Sequence, residues 1–135
     1  MKREDGWRGR FAKFVTAAPG RPFSWEGWNC VRFVCGGIQA VTLVDLHAPF
    51  EGRYTSEEEA RAVLAAEGYA DIADVAAAHL PEIPPARLRI ADVAAIAVDG
   101  GFSLGLVIGE RIGVLHPGGY ATVPLLRATR GFQVG

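Results

Sequence analysis

The chain changes its hydrophobic period once, at a cluster of prolines. Pro81, Pro84 and Pro85 crowd into one short stretch, which neither a helix interior nor a central strand accommodates. Before it, apolar residues recur at three- and four-residue steps, the period of a helix face. After it, from Arg89 onward, they come in short runs separated by glycine: Val93 to Val98, Leu104 to Ile108, Ile112 to Leu115, Ala121 to Leu125 and Phe132 to Val134. Short runs bounded by turn residues read as strands. Asp99-Gly100-Gly101 and Gly109-Glu110-Arg111 are hairpin-type turns, so neighbouring strands pair antiparallel. Helices first and a meander second predict an α+β domain, with N-terminal helices packed on a small C-terminal antiparallel sheet. With 135 residues, half of them hydrophobic, the chain can bury one core and reads as a single domain over 1–135.

Within the helical half, Trp7, Phe11, Phe14, Val15 and Ala18 form one stripe with Arg8, Arg10 and Lys13 opposite, which predicts an amphipathic helix from about Asp5 to Ala18. Asn29 is a good N-cap residue, and Val31, Phe33, Val34, Ile38 and Val41 behind it predict a second helix from Cys30 to about Val44. The Gly36-Gly37 pair weakens that helix, and close packing of another element against its face is the physical reason to keep it. Ser56 caps a third helix that stops at Gly68, with Glu59 placed to reach back in a capping box. Asp71 caps a fourth from Ile72 to Leu80.

Cys30 concentrates the chemistry. In the first turn of a helix, unpaired N–H groups and the positive end of the dipole favour thiolate over thiol, which is how a nucleophilic cysteine is activated. The competing reading is a small core residue, since free cysteine is among the most buried side chains. Cys35, the only other cysteine, lies five positions on and points to a different helix face, so a disulfide between them is not expected and a reducing compartment is.

A net charge of −1 and the lack of any Lys/Arg cluster with interleaved aromatics exclude a nucleic-acid partner. The charged start Met1-Lys2-Arg3-Glu4-Asp5 leads into no apolar segment, so neither a signal peptide nor membrane insertion is expected. Two cysteines and three histidines without ligand spacing predict no metal, and no glycine-rich turn precedes a helix as a phosphate loop would. No cofactor is therefore expected.

Pro22-Phe23-Ser24-Trp25 leading to Asn29-Cys30, then Glu51-Gly52-Arg53-Tyr54, Ala91-Asp92-Val93-Ala94 and Leu104-Gly105-Leu106-Val107-Ile108-Gly109 occur in an order and spacing that resemble the NlpC/P60 superfamily of papain-like cysteine peptidases. The chain looks closest to the short NlpC/P60-like proteins of tailed-phage and prophage tail modules. The resemblance implies a papain-like fold, with Cys30 at the nucleophile position. Ala91 replaces the glycine of a Gly-Asp pair. Ser103 stands at the position of the base histidine, and serine cannot accept a proton near neutral pH as imidazole does.

His116, in Val114-Leu115-His116-Pro117, falls near the position of the third polar residue. It reads as a relic of that residue, a substitute base for Cys30, or a turn histidine without a task. His47 and His79 match no position of the pattern.

The expected function is a structural component of a phage tail, at the tip or baseplate, with a degenerate peptidase-like domain. It would be assembled in the bacterial cytoplasm, carried in the virion, and bound to other tail proteins. The alternative is an active cysteine endopeptidase acting on peptidoglycan as phage DNA passes into the cell. Phe23, Trp25 and Trp28 are interface candidates or core cover, with Arg53 and Tyr54 as further interface candidates.

Overall fold

In the computed structural model, which describes residues 1–135, four helices precede the sheet. These are α1 (Trp7–Ala17), α2 (Cys30–Thr42), α3 (Glu57–Ala66) and α4 (Ile72–His79). The start of α2 is fixed as its sequence predicts, with Asn29 Oδ1 accepting from the Arg32 N–H at 3.0 Å. Ser56 Oγ likewise accepts from the Glu59 N–H at 3.1 Å. Glu59 itself reaches past the cap to the Thr55 N–H at 2.7 Å, so the expected reciprocal bond lands one residue earlier. Asp71 and Asp74 do form a full capping box at α4.

The strands are β1 (Glu82–Ile83), β2 (Val93–Val98), β3 (Gly101–Val107), β4 (Arg111–His116), β5 (Gly119–Pro124) and β6 (Ala128–Phe132). All pairings are antiparallel, in the order β1-β6-β2-β3-β4-β5. Two departures from the sequence reading have physical causes. β1 lies between prolines, and it pairs on one side only, with β6, the position where prolines at strand ends are tolerated. β6 begins four residues before the expected Phe132. Its early residues are small or polar, and Arg130 is held by Glu82 across the strand pair rather than by burial.

A three-residue connection shows that the sheet is curled. β5 and β6 are separated by β2, β3 and β4, which in a flat sheet would put them about 19 Å apart at roughly 4.8 Å per strand. They are joined by one 3-10 turn, Leu125–Arg127, rising only about 6 Å. The strands therefore coil into a half-open barrel, pinned where the Leu125 N–H donates to the Glu110 carbonyl at 2.9 Å. This explains why Ala94, Ile96, Val107, Ile112 and Val114 are buried on the face that no helix covers. The opposite face carries Val93, Ala95, Leu104, Leu106 and Phe132 and packs against the helices through Phe11, Phe33, Val34, Ile38 and Val41.

The glycine pair sets the spacing of this second core. A Cβ at Gly37 would overlap the Leu106 side chain of β3, and one at Gly36 would lie 2.6 Å from the Phe14 ring of α1. Successive residues of α2 thus let two different elements approach its backbone.

The far edge of the helix–sheet core is tied by a buried carboxylate. Asp92, fully buried, accepts from Arg3 Nη2 at 2.9 Å and the Val134 N–H at 3.0 Å through one oxygen, and from the Arg89 N–H at 3.0 Å through the other. Ala91 before it is buried at φ 75°, a left-handed conformation that costs an L-residue about 1–2 kcal/mol and that glycine adopts freely.

Gly37→Leu is expected to destabilise the protein by at least about 1–3 kcal/mol through overpacking against Leu106. Urea denaturation checks this, and an unchanged midpoint would mean that α2 does not press on the sheet there.

Candidate functional site

Cys30 is the first residue of α2 and borders a groove of about 270 Å³ between α2, α3, α4 and the β2–β3 hairpin. The floor is apolar, supplied by Val34 and Ile38 of α2 and Leu104 of β3, and the roof is the apolar side of α3, with Val63 and Leu64. None of α3's residues is fully buried, so that helix bridges an open space and does not plug it. Cys35 also borders the groove, and both cysteines are free and partly exposed.

The thiols are not activated. Burial pushes the Cys30 pKa up. The N–H groups of Val31 and of Cys30 itself pull it down, as a helix start should, but less strongly, and Glu57 adds to the upward push. Burial likewise pushes Cys35 up, to about 12. The thiolate expected from helix position alone is therefore overturned by desolvation.

Of the two residues at the other positions of the pattern, Ser103 shares the groove with Cys30 and His116 does not. Ser103 borders the same groove from β3, where it pairs with Ile96, and its hydroxyl makes no hydrogen bond. His116 is exposed at the end of β4, away from the groove lining, and its Nδ1 accepts from the Gly118 N–H at 3.1 Å. His79 borders the groove at the end of α4, and its Nδ1 donates to the Val75 carbonyl at 2.9 Å. No imidazole is hydrogen-bonded to Cys30.

The expected interface aromatics are mostly spent on the fold. Trp28 is 7% exposed, with the Arg21 guanidinium 3.8 Å from its ring centre and Phe14 and Phe33 at its edges. Phe23 and Trp25 meet edge to face at 5.2 Å and stay half-buried. Arg53 is exposed but paired with Glu67. Tyr54 is 9% exposed and faces inward, which removes it and Trp28 as contact residues.

What Tyr54 joins is a ring of hydrogen bonds around the start of α2 that includes His47, a residue without a place in the sequence pattern. His47 Nδ1 lies 3.1 Å from Glu51 Oε2, and Nε2 lies 2.8 Å from Tyr54 Oη. Asn29 Nδ2 donates to Tyr54 Oη at 3.2 Å and to the Trp25 carbonyl at 3.1 Å. Arg32, one turn into α2, pairs with the other oxygen of Glu51.

The donors order themselves. An ionised Glu51 only accepts, so Nδ1 of His47 carries the proton. In the neutral ring Nε2 then accepts from Tyr54, whose oxygen accepts from Asn29. Asn29, Tyr54 and His47 are all buried, so every polar group in the ring has a partner where water does not reach. Burial also raises the Tyr54 pKa, with the Asn29 hydrogen bond working against it.

The sequence profile of a domain of unknown function, DUF6950, matches residues 2–134. The chain belongs to the DUF6950 family. No curated protein matches it. In this DUF6950 domain the local geometry therefore carries the functional argument: a protonated thiol at a helix start, a polar ring that immobilises that start, and an open apolar groove beside it.

Two measurements follow. The unfolded Cys35 ionises near pH 9.0 while the folded one holds its proton to about 12, so stability is full below that interval and falls through it. Cys35→Ala should flatten the decline between pH 9 and 12 in denaturation curves relative to the parent chain. Tyr54→Phe should cost about 1–3 kcal/mol, because Asn29 and His47 each lose a buried partner. A double-mutant cycle with His47→Ala should show coupling, and simple additivity would mean that the ring is not a unit.

Proposed function

We propose that this domain has a papain-like NlpC/P60-type architecture and works as a bound, non-catalytic component of a phage tail, at the tip or baseplate. The order of elements supports the architecture: a cysteine opens a helix packed on an antiparallel sheet, with a groove running past the thiol. The observation that carries the non-catalytic reading is the thiol itself. Papain-type attack requires a thiolate paired with an imidazolium, and Cys30 is kept protonated by burial with no imidazole bonded to it. The serine at position 103 offers no substitute. The assignment to a tail rests on the resemblance of the motifs around Cys30, Tyr54, Asp92 and Leu104 to tail-module proteins.

Mass spectrometry of purified particles from the source phage or prophage should find the chain as a stoichiometric component. The isolated chain should release no peptide material from peptidoglycan, and Cys30→Ala should leave particle infectivity unchanged. Absence from particles together with cell-wall release that depends on Cys30 would overturn the proposal in favour of the peptidase.

A further inference from the structure

β3 is not paired with β4 along the stretch Phe102–Leu104 that borders the groove. β3 pairs with β2 along its whole length, from Gly101 to Leu106, but its ladder with β4 covers only Leu106 and Val107. Val107 spends its backbone groups on the β2 side, donating to the Asp92 carbonyl at 2.9 Å and accepting from the Ala91 N–H at 2.8 Å. Strand alternation then turns the backbone groups of Phe102 and Leu104 the other way. The Phe102 N–H is taken by the Asp71 carboxylate at 3.2 Å, which confirms that no strand runs beside it. Phe102, Ser103 and the largely buried Leu104 all border the groove.

Charge adds a second constraint. Residues 22–80, which build most of the groove, carry nine carboxylates against three arginines, a net of −6 in a chain whose total is only −1. Of the carboxylates that border the groove, Asp71 is occupied by backbone N–H groups, Glu57 pairs at 2.9 Å with Arg61, an exposed arginine that also borders it, and Asp99 has no ion pair.

We propose that the groove takes an extended peptide segment of a partner protein, added as a strand to the free edge of β3. Its apolar side chains lie beneath α3, and a flanking lysine or arginine is held by Glu57 and Asp99. This inference rests on the reading that the groove is a docking surface and not a catalytic cleft. An extended peptide is the partner that supplies alternating N–H and C=O groups to a strand edge and apolar side chains to its pockets at once. A small apolar ligand leaves the edge unpaired, and an anionic one meets an acidic wall.

The test uses the full chain, isotopically labelled, and two probes, acetyl-TLTVKK-amide and acetyl-TLTVEE-amide, at low salt where surface charge is least screened. The basic peptide should move the amide resonances of Ser103 and Leu104 and the methyl resonances of Val63 and Leu64, and should bind about tenfold more tightly than the acidic one. Glu57→Lys with Asp99→Lys should reverse the preference without changing the fold seen by circular dichroism. Failure of both peptides to shift these resonances, equal binding of the two, or the same shifts produced by raising the concentration of the protein alone would each overturn the proposal. The last outcome would assign the groove to a second copy. Mass spectrometry of the recovered peptide separates the two readings: an intact bound peptide supports both, whereas cleavage that disappears in Cys30→Ala leaves the binding mode standing and removes the non-catalytic reading.

Discussion

The close approach of α2 to the sheet is the contact on which the remaining geometry depends. Two residues without side chains let Leu106 and Phe14 reach the helix backbone, and this fixes α2 in depth against both β3 and α1. A methyl group at either position would push one neighbour away, and the helix start, which borders the groove, would move with it. Helix weakness is thus accepted at the one place where distance matters most.

The start of the same helix is held by polar bonds in place of apolar contacts. Asn29 serves the helix as cap and the preceding loop as donor, and Tyr54, His47 and Glu51 of the connection after α2 close the circuit back onto Arg32 of the helix itself. Such a circuit costs desolvation, which is repaid only when every member is bonded. Its result is a fixed first turn that carries a partly exposed thiol. That first turn forms one wall of the groove.

Most of the fold was legible in the sequence because it follows from local rules. Caps at Asn29, Ser56 and Asp71, the helix stripe of α2, and the turns at Asp99-Gly100-Gly101 and Gly109-Glu110-Arg111 each have a mechanism within a few residues. The curl of the sheet was not legible, since it is set by which strands the Leu125–Arg127 turn must join, a fact of pairing order and not of pattern. The site was read unevenly for the same reason. Position 30 is a matter of local sequence, but the ionisation of its thiol depends on distant residues that bury it, and these reverse the sign expected from the helix dipole. His47 gave no signal at all: it sits in a loop without periodicity, and its partner Tyr54 lies seven residues away across a 3-10 turn. Trp28 takes the second of the two roles its context allows, core cover, and Tyr54 turns inward to Asn29 and His47, a choice that an aromatic in a loop does not reveal in sequence.

Asp92 has a consequence for how the domain can be joined to other polypeptides. One buried oxygen binds both Arg3 and Val134, and Arg3 Nε returns a bond to the Val134 carbonyl at 2.8 Å, so positions near the two ends of the described chain share a single anchor. A domain whose ends meet in this way needs only a narrow gap in a host loop, so it can be inserted into a larger protein without spreading the insertion point. It can also be re-cut, its ends joined by a few residues and new ones opened at an exposed turn such as Asp99-Gly100, with the order of its strands unchanged. Tension applied through both flanks would then load the Arg3–Asp92–Val134 anchor first.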